Sequence, residues 1–193
     1  MIEKGHVPLG PGLESLAACA VRASVLLAQR RVHQPRGHVG QRCAFADGTT
    51  GVVYRETVVN GPAPTSPAVL VVSFQLRHVR TARAHALFRL ESELNTVLFV
   101  GFPGFVSKLW LRHDERGVYR GLYDWDGPAL AEQYVQALWW ALRVVSVPES
   151  IHYAVLPGLR RDDLLANPAL ADGRAPEEAA AWWRLVSGGA RVA

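Results

Sequence analysis

The sequence predicts an α+β fold in which a four-stranded antiparallel sheet carries two helices on one face. Three observations predict it. The segment from Ala68 to Gly158 reads strand, helix, strand, strand, helix, strand. A Pro-rich stretch, Asn60 to Pro67, sets that segment apart from what precedes it. Hydrophobic residues make up 49% and charged residues 20% of 193 positions, enough apolar surface for a packed core and far from the make-up of a disordered chain.

The elements follow in order. Leu13 to Arg31 is alanine-rich and helical, and Pro35 with Gly37 ends it. Gln41 to Ala46 and Val52 to Val59 are short β runs joined by Asp47-Gly48-Thr49-Thr50-Gly51, a hairpin sequence. Pro62, Pro64 and Pro67 block helix and ladder alike, which marks a linker. Ala68 to His78 is an apolar run rich in β-branched residues, as in a strand buried on both faces. Thr81 can cap a helix whose stripe is Ala84, Leu87, Leu90 and Leu94, ending near Asn95. Phe105 to His113 and Val118 to Trp125 are strands joined through Asp114-Glu115-Arg116-Gly117. Asp124 to Pro128 supplies a cap and a first-turn proline for a helix faced by Leu130, Ala131, Tyr134, Leu138, Ala141, Leu142 and Val145, which Pro148 stops. Ser150 to Leu156 is the fourth strand. This order, βαββαβ, is the ferredoxin-like split βαβ unit. A last helix is expected from Pro176 to Ser187, before Gly188. The expected organisation is therefore residues 1–61 as an N-terminal helix and hairpin extension, 62–67 as linker, 68–159 as the ferredoxin-like domain, and 160–193 as a C-terminal extension with a terminal helix.

Charge and cysteine usage exclude several function classes. Lys and Arg number 21 against 17 Asp and Glu, a net charge of +4 that falls short of a dedicated nucleic-acid binder. Arg22, Arg30, Arg31, Arg36 and Arg42 carry most of the excess and read as a solvated basic face. Cys19 and Cys43 have no C-x-x-C spacing, so neither a zinc site nor a disulfide scaffold is supported, and a reducing cytoplasm is expected. The longest apolar stretch, Leu16 to Ala28, contains Arg22 and is shorter than the ~18 to 20 residues of a membrane span. No secretory signal is read at the start of the sequence, so a soluble, non-exported protein is expected. Gly101 to Val106 echoes an RNA-recognition motif, but Val100 stands where a basic residue is required and Pro103 interrupts the run. His113, Asp114 and Glu115 are consecutive in a turn and do not make a metal site; no metal and no cofactor is called for.

Pro103-Gly104-Phe105, followed by Lys108-x-Trp110, resembles the dimeric α/β-barrel superfamily. Within it, the run is most similar to the YdhR-like branch of monooxygenases, related to antibiotic-biosynthesis monooxygenases, which carry a P-G-F-x-x-K-x-W run in the same element order. The resemblance covers Ala68 to about Leu159. It implies a homodimer in which two sheets form a barrel, with a cavity between each sheet and its helices. It also implies cofactor-independent oxygenation of an aromatic or quinone-type small molecule, or haem degradation in other members. The Asn, Trp and His of the haem degraders have no match here, so no catalytic residue carries over.

Tyr119, Tyr123 and Trp125 alternate onto one face of their strand, and Trp110 lies on the next strand. Of these, Trp110, Tyr119 and Tyr123 make the expected ligand-binding set together with Phe74, His78 and Phe88, an aromatic wall with tyrosine hydroxyls for a phenol or quinone oxygen. Packing alone would also account for such a wall. His78, His85, His113 and His152 are the histidines of the expected domain, and a histidine near a bound phenol would serve as base. Three readings follow: a monooxygenase-like enzyme, a non-catalytic binder of an aromatic molecule or haem, and a structural or assembly module. Two packing expectations accompany them. The bare face of a four-stranded sheet favours a homodimer, unless the N-terminal hairpin covers it. Trp140, about 160° from the Leu138 stripe, is expected to be buried by an appended helix.

Overall fold

A computed structural model describes residues 9–77, 99–174 and 181–191. The expected helix from Thr81 to Asn95 lies outside the described residues, as do His78, His85, Phe88 and the side chain of Trp140. The elements are α1 (Leu9–Ala28), β1 (Val32–His33), β2 (Gln41–Phe45), β3 (Thr50–Val59), β4 (Pro67–Gln75), β5 (Phe105–Leu111), β6 (Val118–Asp126), α2 (Pro128–Val145), β7 (His152–Pro157), α3 (Arg161–Ala166) and β8 (Leu185–Arg191).

The four strands expected between residues 68 and 156 are neighbours in one antiparallel sheet, in the order β7-β4-β6-β5. β4, apolar at nearly every position, is buried along most of its length between β7 and β6, as a central strand with both faces covered must be.

The sheet does not stop at four strands, which corrects the sequence expectation. Beyond β5 it continues through β3, β2 and β8, and with β1 beside β3 it has eight strands. The outer edge of β5 would otherwise show an open row of backbone donors and acceptors, and β3 closes it. β3 is shared between two partners. Its first residues pair with β2, and residues 53–58 pair with β5 through a register shift between Val53 and Arg55. Gly51 permits the crossing, since a Cβ there would lie 2.8 Å from Leu111 Cδ2.

A second correction concerns the C-terminal segment. The expected helix Pro176–Ser187 is replaced at its end by β8, and Gly188, read as a helix stop, instead allows β8 to approach α3, where a Cβ would come within 2.7 Å of the Leu165 carbonyl. The third is small. α2 begins with Pro128 in its first turn as expected, but Gly127 precedes it without a side-chain cap. Asp126 turns away and accepts bonds from the Thr65 and Ser66 amides at 2.8 and 2.9 Å.

Each face of the sheet has its own core. On one, Leu70, Val72, Phe105, Tyr123 and Trp125 pack with α2 residues Ala131, Tyr134, Val135 and Leu138 and with Cys19 and Ala23 of α1. On the other, Val69, Val71, Leu109, Leu122 and Leu156 pack with Cys43 and Phe45 of β2, Leu164 and Leu165 of α3, and Trp183 and Leu185. The second face is thus covered by the chain itself, and the homodimer expected through a bare sheet face loses the surface from which it was argued. Arg22, Arg30, Arg36 and Arg42 are exposed, which fits a solvated basic face. No helix among the described residues is long and apolar enough to cross a membrane.

Candidate functional site

Alternation along β6 and its pairing with β4 and β5 decide which side chains meet. Phe74 stands opposite Tyr119, Lys108 opposite Tyr123, and Trp110 opposite Gly121, so all of these project from the face that α1 and α2 cover. Arg55 and Thr57 of β3 join it as partners of Trp110 and Lys108.

At the centre lies the Lys108 amine. Its Nζ is 3.1 Å from the ring centroid of Trp110 and 4.6 Å from those of Phe99 and Tyr123, and the residue is 5% exposed. No carboxylate forms an ion pair with it among the described residues. The Arg55 guanidinium lies over the same indole, 4.0 Å from its centroid, and Trp110 donates from Nε1 to Thr57 Oγ1 at 3.1 Å. Gly121 leaves the room: a Cβ there would sit 2.8 Å from the Tyr123 ring and 3.2 Å from Lys108 Cε.

Burial, and after it the Arg55 charge, hold the Lys108 pKa well below the usual lysine range. The ring faces act the other way, favouring the ammonium. Desolvation of so fully buried an amine is the larger effect, so the downward direction wins. The outcome is an amine that gives up its proton far more readily than a surface lysine.

Tyrosine hydroxyls border this group. Tyr123 and Tyr134 share a hydrogen bond at 3.2 Å, and burial raises the pKa of both, so each keeps its proton and remains a donor. Tyr134 is ringed by Phe99, Phe102 and Trp125 at centroid distances of 5.9, 5.1 and 5.0 Å. The Trp125 indole N–H is buried and has no hydrogen-bond partner among the described residues, which costs about 1 to 3 kcal/mol unless a bound group accepts from it.

Of the six expected ligand-binding residues, Trp110 and Tyr123 meet at Lys108. Phe74 and Tyr119 stack on each other on the same face at 5.9 Å, with His113 edge-on to Tyr119 at 5.5 Å. His78 and Phe88 lie outside the described residues. His152 projects from the opposite face, beside Trp182. Lys108, Arg55 and Tyr134 were missed as site residues. A signal for Lys108 was present: 19 of the 21 basic residues are arginine, and only Lys4 and Lys108 are lysine. Unlike a guanidinium, a lysine inside a strand can lose its proton when buried.

The opposite face treats charge differently. Arg120 bonds Asp114 at 2.7 Å and Asp47 at 3.0 Å, while Arg161 bonds Glu56 at 2.8 Å. Asp124 accepts from the Arg161 amide at 2.7 Å and from Arg160 at 3.2 Å. His38 Nδ1 lies 2.8 Å from the second Glu56 oxygen. No group of three His, Cys, Asp or Glu side chains suited to a metal ion occurs among the described residues.

No known protein family matches the sequence, and no curated protein does. Among solved structures, the chain is similar to a ferredoxin-fold protein of Listeria monocytogenes related to antibiotic biosynthesis monooxygenases, at 13% identity and a TM-score of 0.42. The match covers 56% of this chain and 63% of that one. It is also similar to a monooxygenase-like protein of Listeria innocua (16%, TM-score 0.40, 56% and 63% covered). A third is a major regulator of staphylococcal pathogenesis (20%, TM-score 0.39, 58% and 69% covered). The chain thus spans less than two thirds of the length of the first two.

Proposed function

We propose that this chain is a monooxygenase-like protein, of the kind met in the YdhR-like branch, that takes a planar aromatic molecule bearing an acidic hydroxyl against the helix-covered face of its sheet. One observation carries the reading: a buried lysine amine held among Phe99, Trp110 and Tyr123, with no carboxylate paired to it among the described residues. A flat ligand replaces one ring contact by another and loses little desolvation on entering. Its hydroxyl proton passes to the Lys108 amine, which becomes an ammonium beside the new phenolate. The phenolate is the electron-rich form in which such rings react with oxygen. Tyr123 and Tyr134, which stay protonated, and the Trp125 N–H are donors for a second ligand oxygen. The base in this reading is a lysine.

The test is a titration of the protein with 2-naphthol followed by tryptophan fluorescence, and oxygen uptake with 1,5-dihydroxynaphthalene. Saturable binding, with uptake that Lys108→Met abolishes while binding persists, is the expected result. Binding without uptake would leave a non-catalytic binder. Absence of binding would overturn the proposal.

A further inference from the structure

We propose that Lys108 is also a point of covalent attachment, its ε-amine condensing with the carbonyl of an aromatic aldehyde or ketone to form an imine. This rests on reading the helix-covered face as a small-molecule site. Imine formation makes three demands on a lysine, and the surroundings of Lys108 meet each. The nitrogen must have a free electron pair, and among the described residues no carboxylate pairs with it, while burial and the Arg55 charge over the same indole disfavour a proton there. The C=N bond must be kept from water, and the residue is 5% exposed among rings. The partner must lie flat where the amine can reach its carbonyl carbon, and the Phe99, Trp110 and Tyr123 faces that surround Nζ are surfaces for such a ring. Gly121 keeps the lysine stem free of a neighbouring Cβ.

The step balances without an added oxidant. Nζ adds to the carbonyl carbon, and the C=O π pair goes to oxygen. A proton from nitrogen follows it to give the carbinolamine. The second nitrogen proton leaves with the hydroxyl as water, and the C=N bond forms. Arginine at this position would keep its proton and make no such bond.

The experiment treats the full chain with 2-naphthaldehyde and cyanoborohydride, then measures intact mass and maps the modified peptide. Lys4 is the internal control, being the other lysine. The expected result is one reduced adduct on Lys108 at aldehyde concentrations that leave Lys4 unmodified, with the adduct lost in Lys108→Arg, which keeps the positive charge. An adduct confined to Lys4 or the terminal amine, or none, overturns the proposal. A parallel titration with 2-naphthol, which has no carbonyl, separates the two ideas: naphthol binding without an aldehyde adduct sinks the imine alone, and failure of both sinks the site as well. Because the wild-type peptide map decides the matter by itself, poor folding of the variant would not rescue the idea.

Discussion

The two faces of the sheet bury charge under opposite rules. On the face covered by β2, β8 and α3, cations and carboxylates are buried together: Arg120 with Asp114 and Arg161 with Glu56, while the buried Asp124 pairs with the half-exposed Arg160. On the face covered by α1 and α2, the Lys108 amine is buried among rings. A paired buried charge holds a fold in one arrangement, and truncating one partner is costly because the other is left stranded. A buried amine with no acid paired to it among the described residues adds nothing of that kind. On the function proposed above, the difference separates scaffold from site on a single sheet.

The comparison breaks first at Asp114. Its carboxylate pairs with Arg120 and also accepts from the Arg116 and Val118 amides, so Asp114→Ala should cost roughly 3 to 5 kcal/mol in urea unfolding. A loss below about 1 kcal/mol would mean that the buried pairs are not what holds that face. Next is Gly121→Ala on the aromatic face, where a methyl group meets the Tyr123 ring and the lysine stem. We expect a loss of about 1 to 3 kcal/mol together with weaker naphthol binding. Stability falling without any change in binding would place the ligand elsewhere.

Lys108→Met sharpens the contrast, because it should leave the protein at least as stable at pH 7. A lysine whose folded pKa is depressed destabilises the fold in its charged form. Its penalty is therefore full below the depressed value and disappears as pH rises toward the unfolded value of about 10.4, so wild-type stability climbs with pH across that window. The variant should lack that climb, as measured by urea midpoints from pH 6 to 9.

The smallest expected effect uses one cysteine from each core. Burial pushes the Cys19 thiol up to about 11, against weaker opposing effects of the Gly101 amide and Arg22. It pushes Cys43 up to about 12, against Arg161. Both should react slowly with iodoacetamide at pH 8, Cys43 more slowly by about tenfold from its thiolate fraction. Since raised folded values favour the neutral thiol, their contribution to stability is complete below pH 9 and is lost as pH rises through 11 and 12. Equal, fast labelling would show that one layer opens readily.

What the sequence made legible was local. The hairpin at 41–59, the central strands and the parity that gathers Phe74, Trp110, Tyr119 and Tyr123 on one face all follow from alternation and turn residues a few positions apart. What escaped was remote. The pairing of β3 with β5 depends on an edge that exists only once the sheet has formed, and no local pattern announces it. The strand at Leu185–Arg191 was hidden because Gly188 and Gly189 resemble a helix stop, when Gly188 is there for close contact with Leu165. Lys108 was legible as a letter of the Pro-Gly-Phe run. Its role was not, because burial is a tertiary property; the scarcity of lysine was the clue left unused.

The pairing of β2 with β8 has a consequence for how the molecule is made. Gln41 donates to the Gly188 carbonyl across 147 residues of chain, so a nascent polypeptide holds its hairpin at 41–59 long before the strand that completes the sheet has been synthesised. Until residues 185–191 emerge, Val69, Val71 and Leu122 lack part of the layer that shields them, and the edge of β2 stands open to any other strand. Such long-range closure is slow relative to local contacts. Aggregation during synthesis, more than instability of the folded protein, is therefore the hazard built into this arrangement, and slowing translation just before residues 185–191 should worsen it.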